Sequence, residues 1–162
     1  MKNTFLKTIG TATLAILMTA IFAQISVSAQ DKIITLEGSW NHQIMRRNCL
    51  TGEVLGTAPA MLTFMQGGTM MEFGTQGPPS MRGSGQGVWR SVSEFHPQYT
   101  SVFQFFRFNA DGTYAGRQIV RQQIELNPDG NSYTASATAQ VLDVNGNVIQ
   151  NNCSTGTATR VE

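Results

Sequence analysis

The sequence predicts an all-β chain whose eight antiparallel strands run up and down and close into a barrel. Three observations lead there. Beyond residue 30, almost every segment is short, rich in Thr, Val, Phe and Tyr, ended by a Gly-containing turn, and free of any helical stripe. Most segments join their sequence neighbours through tight turns, whereas a Greek-key sandwich needs long crossovers. The third observation is a register shared by the two ends of this region. In an antiparallel pair the numbers of facing residues add to a constant. Trp40 with Arg160 gives 200 and Cys49 with Cys153 gives 202, so one pairing brings both couples together, the second as a diagonal neighbour. The first and last strands then lie side by side.

The elements follow in order. The first strand covers 39–49 and ends at the turn Leu50-Thr51-Gly52-Glu53. The stretch 50–59 reads either as a short extra hairpin arm or as a loop. Strands over 60–66 and 69–73 form a hairpin across Gly67-Gly68. The segment 74–87, rich in Gly, Pro and Ser, is the one long loop. Strands over 87–94 and 99–108 come next. Asn109-Ala110-Asp111-Gly112 turns into a strand over 113–126, and Asn127-Pro128-Asp129-Gly130 into one over 132–142. These two Asp-Gly hairpins make a weak internal repeat. Asp143-Val144-Asn145-Gly146 leads to the last strand, which carries Cys153 and Arg160.

Ahead of the barrel, residues 1–29 read as a cleaved signal peptide. Lys2 and Lys7 make a basic start, 9–23 is apolar, and Val27-Ser28-Ala29 suits a signal peptidase. The other reading is a membrane anchor, which the Thr, Ser and Gln of 9–30 dilute. Removing 29 of the 162 residues leaves 133, residues 30–162, enough for a single domain with one core. Nine basic groups then face ten acidic ones, which argues against nucleic acid or an anionic membrane as partner. Eight of those nine are Arg, and Lys32 lies in the tail, so Schiff-base chemistry by a buried Lys is not expected. Two cysteines in an exported chain read first as one disulfide, with two free thiols the alternative. A secreted or periplasmic location follows, with no stable membrane insertion after the signal is removed. Oligomeric state is not legible.

Gly38-Ser39-Trp40 opening the first strand, with Arg160 in the last, resembles the lipocalins and the wider calycin superfamily. There a Gly-x-Trp motif and a late Arg meet at the closed end of a cup-shaped barrel. The chain departs from transport lipocalins in having neither a Thr-Asp-Tyr motif nor a C-terminal helix. Small exported barrels related to allene oxide cyclase are a second resemblance. The first resemblance implies binding of a small apolar or amphipathic molecule, an anion among the candidates; the second implies a cofactor-free cyclase or isomerase. A ligand-free structural barrel is a third reading.

The residues sort by face. Trp40, His42, Ile44 and Arg46 alternate on the first strand; with Trp40 as a floor, His42 and Arg46 look inward. Trp40 and Arg160 are read as a structural cation–π couple. Tyr133, Ala135, Ala137, Ala139 and Val141 share one face, and its alanines leave room for a cavity unless Phe103, Phe105, Phe106 and Phe108 fill it. Arg117 and Arg121 share a face with Ala115 and Ile119. Inward, they join Arg46 as a clamp for a carboxylate; outward, they are solvated. Glu72, Glu94 and Glu125 are possible internal partners. The ligand-site candidates are therefore His42, Arg46, Arg117, Arg121 and Tyr133. Met61, Met65, Met70, Met71 and Met81 read as core filler or as an adaptable mouth. His42 and His96 have no metal-ligand spacing, and no nucleophile elbow or carboxylate pair stands out. No metal, cofactor or catalytic residue is expected, and the balance leans away from an enzyme.

Overall fold

Alternation of buried and exposed side chains runs through the strands, and it is cleanest in β3 (Thr69–Gly74), where every second residue is buried. The computed structural model describes residues 34–93 and 96–161, so the expected signal peptide lies outside the described residues. The other strands are β1 (Gly38–Arg47), β2 (Val54–Phe64), β4 (Gly85–Ser91), β5 (Gln98–Phe108), β6 (Tyr114–Leu126), β7 (Ser132–Leu142) and β8 (Val148–Arg160). Each pairs antiparallel with its sequence neighbours, and β8 returns to β1, closing an eight-stranded up-and-down barrel. Closure leaves no sheet edge for another chain to extend.

Two boundaries differ from the sequence reading. The stretch 50–59 is neither an extra arm nor wholly a loop, because β2 begins at Val54 and pairs with β1 from there on. The turn before it is compact: the Asn48 carboxamide oxygen accepts from the Leu50 and Thr51 amides. The long loop after β3 contains a short 3₁₀ turn, Pro79–Met81. Among the described residues, no helix is long and apolar enough to cross a membrane.

The β1–β8 register is the one the two ends implied. Trp40 faces Arg160, and Arg47 faces Cys153. Cys49, two residues past Arg47, meets Cys153 diagonally, and the two form a disulfide with a Cα–Cα distance of 5.2 Å. The bridge and the Trp–Arg couple lie at opposite ends of the shared ladder.

The core is concentrated at the Trp40 end. Trp40, Leu36, Leu62, Phe64, Met70, Leu126 and Tyr133 are fully buried there. Tyr133 meets the Trp40 ring edge-on at 4.9 Å. Trp40 Nε1 donates to the Leu36 carbonyl at 2.9 Å. Below the ring, the Arg160 guanidinium carbon sits 4.2 Å from the indole centroid. Its nitrogens donate to the carbonyls of Gly130 and Thr35, both at 2.8 Å, and of Glu37. One side chain thus ties β8 to the β6–β7 turn and to the segment that leads into β1.

Two stability measurements test this. Arg160→Met leaves three carbonyls without their donor and should cost on the order of 3 kcal/mol in urea unfolding. Replacing both cysteines by Ser releases a loop of sequence separation 104. The chain-entropy model sets that loss at about 4–5 kcal/mol, read from the same denaturation curves.

Candidate functional site

Above the Trp40 floor the barrel is hollow, because β7 and β8 bring small residues to the inside. Ala135, Ala137 and Ala139 of β7 face inward, as the alternation predicted, and Gly156 of β8 lies beside them. Phe103 and Phe105 of β5, two strands away from β7, also line it without filling the space. A cavity of about 510 Å³ remains, a size suited to a small organic molecule. Phe108 also lines it, whereas Phe106 turns outward and is exposed. A bulge between Arg107 and Phe108 explains how residues of opposite parity reach one interior.

Of the sequence-predicted site residues, His42 and Arg46 line this cavity. Tyr133 lies beneath it as part of the floor and reaches it through His42. Its hydroxyl is 2.9 Å from His42 Nδ1. Burial pushes the Tyr133 phenol far above its ordinary value, so the hydroxyl stays protonated. His42 is its one hydrogen-bond partner among the described residues, so the buried O–H donates to Nδ1. The imidazole proton is then on Nε2. That edge of the ring points at Gly156, where a methyl group would collide with Nε2 and Cε1. Gly156 is therefore the space in which His42 meets the lumen. Burial also lowers the His42 pKa from its ordinary value of 6.5 to about 4, so the ring is neutral at physiological pH.

Arg117 and Arg121 are a correction. Neither faces the lumen: the β6 residues that line the cavity are Gln118, Val120 and Gln122, and Ile124 and Leu126 continue the same face into the core. The reason is register. Phe103 and Ala139, both inward, flank Val120 in the sheet, which puts the odd-numbered neighbours outside. Out there Arg117 donates to Gln104 at 3.3 Å and Arg121 to Gln140 at 3.2 Å, on the polar outer surface. A clamp of Arg46, Arg117 and Arg121 does not form.

Other charged groups occupy the interior in their place. Glu72 of β3 and Arg82 of the long loop form a buried ion pair of 2.6 Å, with side-chain exposures of 3 and 7 %. Burial pushes the Glu72 carboxyl up, while Arg82 and the Gly85 amide pull it down. The Arg82 guanidinium lies 3.8 Å over the Phe105 ring. Methyl groups at Gly74 or Gly85 would run into this pair. Arg82 thereby anchors the loop over the opening, where Gln76, Pro78 and Met81 form part of the cavity wall. Arg107, also in the wall, was not singled out from sequence. Its parity with Phe103 and Phe105 was the signal that could have found it.

Glu72–Arg82 is the one ion pair among the described residues, so Arg46 and Arg107 meet the lumen without a carboxylate partner there. Glu125 is exposed on the outer face and Glu94 lies outside the described residues. The methionines divide: Met70 is core, Met81 lines the opening, and Met61 and Met71 are exposed outside. Among the described residues, no three His, Cys, Asp or Glu side chains come together.

His42 predicts a pH dependence. Its folded pKa of about 4 lies below the ordinary 6.5, so the unfolded chain binds more protons between those values. Its contribution is complete above 6.5 and is lost as pH falls toward 4, by about 3 kcal/mol at most. Urea midpoints measured across that range should fall less steeply in His42→Phe than in the parent protein.

No protein-family model matches the chain, and no curated protein matches it.

Proposed function

We propose that this is an exported, lipocalin-like barrel that holds a small amphipathic anion in its lumen. One observation carries the reading. The cup is closed at the Trp40 end and hollow above it, and Arg46 and Arg107 stand in the wall of its open half with no carboxylate beside them. Arg107 is half-buried there and Arg46 is exposed at the rim; a guanidinium in a partly desolvated wall is favourable when an anion accepts its hydrogen bonds. The apolar part of the wall, formed by Ile44, Ala137, Ala139, Val120, Phe103 and Phe105, suits a hydrocarbon body. The disulfide is consistent with an oxidising compartment, and the motif at 1–29 supplies the export route.

The calycin-like architecture supports the same reading, since an eight-stranded barrel of this size encloses room for one small ligand. Catalysis of the cyclase or isomerase kind has no separate observation in its favour, because Glu72 is committed to Arg82 and His42 to Tyr133.

Calorimetric titration with dodecanoate tests the proposal. The parent protein should bind it one to one, and Arg46→Ala or Arg107→Ala should each weaken binding about tenfold, equivalent to ~1.4 kcal/mol. Arg117→Ala and Arg121→Ala, on the outer face, should leave it unchanged. Equal effects from inner and outer arginines would count against a luminal site.

A further inference from the structure

The deep end of the lumen is polar in a particular sense: it offers donors. His42 and Gln122 both line the cavity, and both are more than nine-tenths buried, at 4 and 7 % exposure. The Tyr133 hydroxyl occupies His42 Nδ1, which leaves Nε2–H uncommitted beside Gly156, another residue of the cavity wall. On the other wall, Ser101 donates its hydroxyl proton to the Gln122 carboxamide oxygen at 2.9 Å. That bond uses the acceptor and leaves the NH₂ of Gln122 without a partner among the described residues. Both Nε2 atoms keep accessible surface, because no fully buried side-chain nitrogen or oxygen among the described residues lacks a partner, and both residues line the lumen. Both partners of the pair are held from behind by a fully buried side chain, Tyr133 or Ser101.

We propose that the lumen selects molecules with a hydrogen-bond acceptor at each end: an anionic head at Arg46 and Arg107, and a neutral carbonyl or hydroxyl oxygen between His42 and Gln122. This rests on the reading of the lumen as a binding cavity and adds the identity of the ligand's inner end. His42 and Arg46 are four residues apart on one strand, a span of roughly 13 Å, so both ends are met by an elongated chain rather than a compact ring. A site with buried donors discriminates strongly, since a ligand ending in a methyl group leaves them without acceptors. An ω-oxidised fatty acid has the required chemistry.

The test is calorimetric comparison of three probes of one chain length: dodecanoate, ω-hydroxydodecanoate and ω-aminododecanoate. The hydroxy acid should bind about tenfold more tightly than dodecanoate. The amino acid, protonated at neutral pH and carrying donors alone, should bind more weakly than either. Gln122→Leu and, separately, His42→Phe should bring the ratio of hydroxy acid to dodecanoate affinity toward one, while Arg117→Ala keeps it. Near-ultraviolet circular dichroism of the Trp40 region checks that each variant is folded, and Gln122→Leu suffices should His42→Phe not fold. Binding of dodecanoate with no preference for the hydroxy acid would overturn this inference and leave the binding cavity standing. So would a preference that survives Gln122→Leu. Binding of none of the three would remove the cavity reading itself, and this inference with it.

Discussion

The barrel depends on Arg160. A guanidinium placed under an indole, with its nitrogens spent on three backbone carbonyls, solves two problems together. It satisfies carbonyls from the segment before β1 and from the β6–β7 turn that would otherwise end unpaired at the base of the barrel. It also locks β8 to β1, so the sheet closes on itself. The cation is balanced by carbonyl dipoles and a π face rather than by a carboxylate, which keeps the floor free of acid. A chain whose first and last strands were held less firmly would present two open edges.

Once the floor is sealed, the upper half can be polar. Each of its buried polar side chains makes a hydrogen bond, and two of these groups are given room by a missing side chain. Gly156 makes space for the His42 ring, and Gly74 and Gly85 make space for Glu72 and Arg82. This arrangement lets charged and hydrogen-bonding groups enter a barrel without desolvated, unpartnered atoms. The hollow itself follows from size asymmetry around the lumen, with alanines and glycine on β7 and β8 and two phenylalanines on β5.

The same asymmetry explains how the arginines are sorted. Arg82 is inside because Glu72 and Phe105 receive it. Arg46 and Arg107 stand toward the open half, where water or a ligand can solvate them. Arg117 and Arg121 are outside because their strand is flanked by Phe103 and Ala139, whose inward orientation fixes that of Val120 between them. On the first half of β6 the faces look alike, with Ile119 beside the arginines and Val120 beside Gly116, Gln118 and Gln122, but further along Ile124 and Leu126 join Val120 while Glu125 joins the arginines. Alternation read to the end of the strand therefore points the arginines outward, and the neighbouring strands hold them there.

Strand number, order and closure were legible in the chain. Asp-Gly turns punctuate it, and the spacings from Trp40 to Cys49 and from Cys153 to Arg160 are compatible with one antiparallel ladder. The inward faces of β1 and β7 were legible too, because Trp40 and the alanine row mark them. Tertiary structure decided the rest of the site. That Glu72 would meet Arg82, that His42 would lean on Tyr133, and that Ser101 would orient Gln122 are contacts between strands or across a loop, with no local trace in the chain. Alternation assigns a side chain to a face. Which partner it finds there depends on how the barrel's tilt brings distant strands to the same depth.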